Sequence, residues 1–205
     1  MPDAQTRRTA LRLMLVAAVT AGLAACGGTK VSRVEADKQI DVTDQWNSTD
    51  SKLVADQMIE DMLTFPWVDK WQKANDRMPR VIIQSVRNKS HEHIPVDTFI
   101  NDLKRAMLRS GKVQFVSGGA AREQVREERK QQDVYASEET RARMGAETGA
   151  DFALSGTISS TVQQADGTRV TFYQVDLNLI DLTTTEEVWY GQKKIKKVAE
   201  KGGWF

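Results

Sequence analysis

The stretch that most narrows the possible folds is the last third of the chain. Phe152, Leu154, Ile158 and Val162 alternate with Ala153, Ser155, Thr157, Ser159 and Thr161. After Asp166-Gly167, the residues Tyr173, Val175, Leu177 and Leu179 alternate with Gln174, Asp176 and Asn178. Successive side chains of a strand point to opposite faces, so this period of two marks strands with one apolar and one wet face. Asp-Gly supplies the left-handed backbone that a two-residue hairpin turn needs. Thr183-Thr184-Thr185 marks a second turn, and Val188 to Lys197 a third strand. The result is an antiparallel meander, which must cover its apolar face with another layer.

The upstream half supplies that layer. Asn47-Ser48-Thr49-Asp50 is a cluster of helix-capping residues, and Leu53, Val54, Met58, Ile59, Met62 and Leu63 follow at helical spacing. Pro66 ends this helix, because proline disfavours the helical region for the residue before it. Arg80 to Val86 reads as the first strand, and the consecutive Val81-Ile82-Ile83 predicts burial on both faces in a central position. Arg87 to His93 reads as a polar loop. Val96, Phe99, Ile100, Leu103, Ala106 and Met107 then form the stripe of a helix that Gly111 terminates, and Val113 to Val116 a short strand. Ala120 to Gln132 is strongly charged, either a solvated helix or a mobile segment. Ser137-Glu138-Glu139 opens a further helix that ends at Gly149. The expected fold class is α+β: a single domain with a mixed sheet of about four to five strands ending in the meander, and helices packed on the sheet.

The N-terminus has a different character. Arg7, Arg8 and Arg12 precede an apolar run from Leu13 to Val19, too short to span a bilayer, and small residues lead to Leu23-Ala24-Ala25-Cys26. This is the layout of a secretory signal, and its last four residues resemble the lipobox of bacterial lipoproteins. That resemblance implies acylation of Cys26, the only cysteine in the chain, and cleavage just before it. Several acyl chains on one residue, at about 0.8 kcal/mol per buried CH₂, hold a protein on a membrane without a spanning helix. Thr6 to Arg12 also has the paired arginines of a twin-arginine export signal, but lacks an aromatic near Ala10. Both export routes remain open.

The expected organisation is therefore a signal peptide over residues 1–25, a lipidated Cys26 with a tether to residue 47, a domain over 48–197 and a tail over 198–205. Cleavage removes three basic residues and one acidic one, which takes the formal net charge from +1 to −1. A near-neutral body gives no reason to expect nucleic acid as a partner. The tether contains no proline, and about 20 flexible residues have a typical reach of roughly 25 Å.

Candidate chemistry is sparse. His91 and His93 are the only imidazoles, and no glycine-rich elbow surrounds any serine. His91, Glu92 and His93 lack a third histidine or a distant thiol to complete a transition-metal site. The acidic pairs Glu138–Glu139, Glu186–Glu187 and Asp176 with Asp181 fit helix starts and wet strand faces better than a glycosidase. Gly118-Gly119 lacks the lysine of a phosphate loop. No catalytic residue, cofactor, metal or small-molecule substrate is expected. Lys193 to Lys197 is the one basic patch, which reads as a guard on an edge strand or as a contact for anionic lipid or an acidic partner.

From about Val31 to Lys197 the chain resembles the LpoB-type activator lipoproteins of penicillin-binding proteins. The resemblance is carried by Trp46-Asn47-Ser48-Thr49-Asp50-Ser51, Arg87-Asn88-Lys89-Ser90, Ser110-Gly111-Lys112-Val113, Thr148-Gly149-Ala150-Asp151-Phe152, Phe172-Tyr173-Gln174-Val175-Asp176-Leu177 and Val188-Trp189. It implies an outer-membrane lipoprotein facing the periplasm, with a domain related to the N-terminal domain of TolB. It also implies that the domain binds and stimulates a bifunctional penicillin-binding protein, a peptidoglycan synthase. By the family's sorting rule, Gly27 in place of Asp directs the lipoprotein to the outer membrane. Members can carry a long proline-rich tether, which this chain lacks. The alternatives are a structural lipoprotein of an envelope assembly or export machine and, further off, a periplasmic metal-binding protein or hydrolase. Binding residues usually sit on loops carried by a rigid scaffold, so Arg87, Asn88, Lys89 and His91 are the candidate partner contacts.

Overall fold

The computed structural model describes residues 32–35, 43–135, 137–138 and 147–200. Cys26, most of the expected tether, residues 201–205 of the tail and most of the expected helix beyond Ser137 lie outside these. Residues 32–35 belong to a unit of their own, Met1–Lys38, while everything described from residue 43 onward belongs to the compact unit Gln39–Phe205.

That unit contains, among the described residues, helices α1 (Ser48–Thr64) and α2 (Trp67–Asn75), strand β1 (Arg80–Lys89), helix α3 (Val96–Ser110), strand β2 (Gln114–Phe115), helix α4 (Gly119–Tyr135), and strands β3 (Phe152–Ala165), β4 (Thr168–Asp181) and β5 (Glu187–Glu200). The strands form one mixed sheet in the order β2-β1-β3-β4-β5. β1 runs parallel to both β2 and β3, and β3, β4 and β5 are the antiparallel meander. The expected class, an α+β domain ending in a meander, is what forms. No described helix is long and apolar enough to cross a membrane.

Local chemistry explains most boundaries. Asn47 and Asp50 make a reciprocal capping box at the start of α1, each side chain accepting the other's backbone N–H at 3.0 Å. Val54, Ala55, Met58, Ile59, Met62 and Leu63 are buried. Leu53, expected in the same stripe, is exposed. Pro66 does end α1, but α2 begins directly after it, because a proline's fixed φ suits the start of the next helix. Periodicity in the sequence does not reveal this nine-residue helix. Trp67 donates to the Met62 carbonyl at 2.8 Å, and Trp67 and Trp71 pack on Phe152 with ring centroids 4.7 and 4.9 Å away.

Strand β1 is central, as expected, but longer than Val86. Arg87, Asn88 and Lys89 are not loop residues; they pair with Thr157, Ile158 and Ser159 of β3. The register shifts between Ile83 and Ser85. The extra residue changes the phase of the alternation, so Val81 and Val86, five apart, both face the core. Ile82 and Ile83 are only half-buried, and the chain at Gly118 passes so close to Ile82 that a Cβ there would stand 2.8 Å from its side chain.

In the meander, Asp166 and Gly167 both have positive φ, 47° and 80°, as the Asp-Gly hairpin requires. Tyr173, Val175, Leu177 and Leu179 are buried, while Val162, expected on the same face, is 37% exposed. Trp189 is buried and donates to the Asp61 carboxylate at 2.9 Å, tying β5 to α1. Its indole lies over Gly191, where a Cβ would come within 2.2 Å of the ring. α4 has no buried residue and is the solvated helix, held at Arg126 by Glu123 and Glu147.

Two boundaries move. Residues 198–200 belong to β5 rather than to the tail. The end of the expected tether, from Asp44 on, is bound into the domain. Asp44 accepts from Thr171 at 2.6 Å and pairs with Arg169 at 3.0 Å. Lys197 donates to the Gln45 carbonyl at 2.8 Å, and Trp46 packs edge-on against Phe99 and Tyr173.

Candidate functional site

Helices α1, α2 and α3 cover one face of the sheet, and the other carries the alternate, polar residues. Cross-strand partners share a face, so the registers define rows. Arg87, Thr157, Asp176 and Gln192 form one row; Lys89, Ser159, Gln174 and Lys194 the next; Thr161, Phe172 and Lys196 a third. On the other side of Arg87 stand Ser155, Asn178 and Tyr190. Arg87 and Lys89 are thus exposed cations of β1 on this face, beside the exposed Ser85 and separated from each other by the inward-turned, half-buried Asn88.

The centre of the face is a depression of about 330 Å³ lined by Ser85, Arg87, Ser155, Thr157, Asp176 and Tyr190 among others. Asp176 organises one wall. Its Oδ1 accepts from the Tyr190 hydroxyl at 2.7 Å, from Gln192 at 2.8 Å and from Gln174 at 3.1 Å. Burial works to raise this carboxyl, but the bonds from Gln174, Gln192 and Tyr190 and the charge of Lys194 outweigh it and hold it below the usual carboxylate range. The same bond pushes the Tyr190 phenol up. Tyr190 is therefore an exposed ring held in a fixed orientation. Asn178 donates to Glu187 at 3.1 Å, and Lys196 lies over the Phe172 ring at 5.2 Å.

The other two expected contact residues have internal work. Asn88 donates to the Glu92 carbonyl at 2.8 Å and accepts from the Ser90 N–H and hydroxyl at 2.9 and 2.7 Å, closing the turn after β1. His91 accepts at Nε2 from Arg169 at 3.4 Å, which leaves Nδ1 as the donor to the Ser160 hydroxyl at 2.6 Å. Glu92 is drawn inward, accepting from Trp46 N–H at 3.0 Å and from the Tyr173 hydroxyl. Burial and that carboxylate together push the Tyr173 phenol well above its ordinary value. So the structure brings Arg87 and Lys89 to the open face and turns Asn88 and His91 to holding the turn.

Tyr190, Gln192 and Phe172 belong to the same face and lie outside the expected contacts, while Lys194 joins it from the Lys193 to Lys197 patch. The available signal was phase: they are the residues out of step with the apolar alternation. Lys193 to Lys197, read as one patch, divides by the same rule. Lys194 and Lys196 face outward, whereas Lys197 is buried and pairs with Asp50 at 2.7 Å.

A second groove of about 400 Å³ lies between β2 and α4, lined by Phe115, Val116, Arg122, Val125, Arg129 and Glu147. Its arginines are engaged: Arg122 donates to the Ser117 carbonyl at 3.0 Å, and Arg129 lies 3.9 Å from Glu147. Among the described residues no group of three or more His, Cys, Asp or Glu side chains could hold a metal ion.

The model of one family, described as the peptidoglycan-synthase activator LpoB, matches residues 50–195. The chain belongs to the LpoB family. Among solved structures, the LpoB C-terminal domain from Salmonella enterica is 20% identical, with 64% of this chain and 94% of that one covered and a TM-score of 0.36. The Escherichia coli LpoB C-terminal domain is 19% identical over the same shares, with a TM-score of 0.38. Lipoprotein GNA1162 from Neisseria meningitidis is 18% identical, with 62% and 88% covered and a TM-score of 0.37. No curated protein matches the sequence. The family is one of activators rather than of catalysts.

Proposed function

We propose that this member of the LpoB family is an outer-membrane lipoprotein anchored through Cys26, whose periplasmic domain binds a bifunctional penicillin-binding protein and raises its activity without doing chemistry itself. The observation that carries the reading is the family match across residues 50–195. The open sheet face supports it, because it offers exposed cations and a fixed aromatic on a rigid scaffold. Arg87 and Lys89 are the contacts on β1, and Asn88 and His91 act one step back by shaping the turn behind them.

Glycan polymerisation and peptide crosslinking by the cell's bifunctional penicillin-binding proteins, measured with and without residues 27–205, test this. Stimulation is expected at saturating domain, with a loss in folded Arg87→Ala and Lys89→Glu variants. Indifference of every such synthase would replace the activator reading with a structural role in an envelope assembly or export machine.

The anchor has its own test. Cys26→Ser should release the protein from the membrane fraction and remove the mass of the acyl chains. Unchanged membrane association and mass would overturn the lipidation.

A further inference from the structure

We infer that the surface docking on the open sheet face is carboxylate-rich, and that one carboxylate side chain of that protein partner seats on Arg87 in the central depression. This deepens, and rests on, the reading of the domain as a synthase regulator.

The argument is one of charge left over. Four cations share the face: Arg87, Lys89, Lys194 and Lys196. None forms an ion pair with a described residue. Of the three acids on the same face, two are engaged by neutral donors, Asp176 by Gln174, Tyr190 and Gln192 and Glu187 by Asn178. The third, Glu200, stands at the far end of β5, two rows beyond Lys196. The face is therefore positive on a chain whose mature form is close to neutral. The Arg126–Glu123 and Arg126–Glu147 pairs show that this chain neutralises arginines elsewhere on its surface.

Geometry selects Arg87 among the four. It lines the depression, flanked by the hydroxyl-bearing Ser85, Ser155 and Thr157 and facing the fixed Tyr190. A guanidinium presents a planar fork matching both oxygens of a carboxylate, whereas an ammonium is a point charge. A carboxylate entering the depression would be met by that fork, with hydroxyls beside it and the phenol ring shielding the pair from water. The like charge of Asp176 stands on the opposite wall, two strands away, with its oxygens bonded to Tyr190, Gln174 and Gln192. Lys89 lies about 7 Å along the same strand, and Lys194, three strand spacings across and one row along, about 16 Å away. Lys89 lies within the Debye length of about 10 Å at 0.1 M salt and is only partly screened, whereas Lys194 lies beyond it and adds long-range attraction for an acidic surface chiefly at low salt.

The test uses the mature lipoprotein in detergent, the ectodomain of the cell's bifunctional penicillin-binding protein, and binding kinetics at several salt concentrations alongside the stimulation assay. Arg87→Ala should weaken binding about thirtyfold or more, chiefly through faster dissociation. Arg87→Lys should restore only part of this, because it returns the charge but not the fork. Lys194→Ala should lower the association rate a few-fold, and that difference should fade as salt rises. Both residues are exposed, so each of the three variants should keep the wild-type melting temperature. Stimulation by the wild type with binding unchanged in Arg87→Ala and indifferent to salt would overturn this inference and leave the activator reading standing. Absence of both binding and stimulation in the wild type would overturn both. Displacement of the synthase by a soluble muropeptide that binds the wild type but not Arg87→Ala would make the occupant a wall fragment and overturn the inference.

Discussion

Lys197→Ala should cost about 3–5 kcal/mol of folding stability, an unusual loss for one lysine in a lysine-rich edge strand. Its ammonium donates to the Asp50 carboxylate at 2.7 Å and to the Gln45 carbonyl at 2.8 Å, and both charged side chains are only 9% exposed. Removing it leaves a carboxylate in a site closed to water with no cation beside it. The same carboxylate accepts the Asn47 N–H that begins α1, so the loss reaches the helix start as well as the end of the tether. Lys196→Ala, one residue earlier on the exposed face, should cost under about 1 kcal/mol. Replacing both members, Lys197→Met with Asp50→Leu, should recover most of the stability, because a packed apolar pair needs no desolvation of charge. Urea unfolding of the three variants and the wild type decides the matter. Equal and small losses for Lys196→Ala and Lys197→Ala would mean that the pair is solvated.

Leu177→Ala should cost about 2–5 kcal/mol. The side chain is fully buried in the middle of β4, between Val175 and Leu179 on the face that the helices cover. Truncation leaves a cavity that the flanking strands, held by paired backbone on both sides, can close only in part. Asn178→Ala, its neighbour on the open face, should cost under about 1 kcal/mol. The contrast tests the register, since a one-residue slip exchanges the two faces. Equilibrium unfolding that gave the reverse order would place the meander out of register by one residue.

The elements legible from the sequence are those whose cause is local. Alternation in β3 and β4, the Asp-Gly turn and the Asn47–Asp50 capping box each involve residues a few positions apart, so their chemistry is visible in the order of the letters. Helix α2 escapes such a reading because a proline both stops one helix and starts another, and nine residues are too few for periodicity to show. Arg87 to Lys89 look like a loop because charged residues disfavour strands on average. Pairing with β3 overrides that preference, and the open face keeps Arg87 and Lys89 in water. On the open face, Arg87, Lys89 and, within its basic patch, Lys194 are candidates from the sequence alone, whereas Tyr190, Gln192 and Phe172 join them only through the registers of β1 with β3, β3 with β4 and β4 with β5.

The sequence by itself determined the α+β class, the meander and the buried apolar stripe of β4, the start of α1, and, through its ordered segments, the resemblance to LpoB-type activators. Only the tertiary structure decided which lysine of Lys193 to Lys197 is buried, that Asp44 to Trp46 belong to the domain, and that the shift near Gln84 turns Arg87 and Lys89 to the open face. Each of these depends on partners far apart in the chain, such as Gln45 with Lys197, 152 positions away. A lysine has the same propensities whether it meets water or a buried carboxylate. Which of the two it meets is settled by how distant strands and helices are brought together.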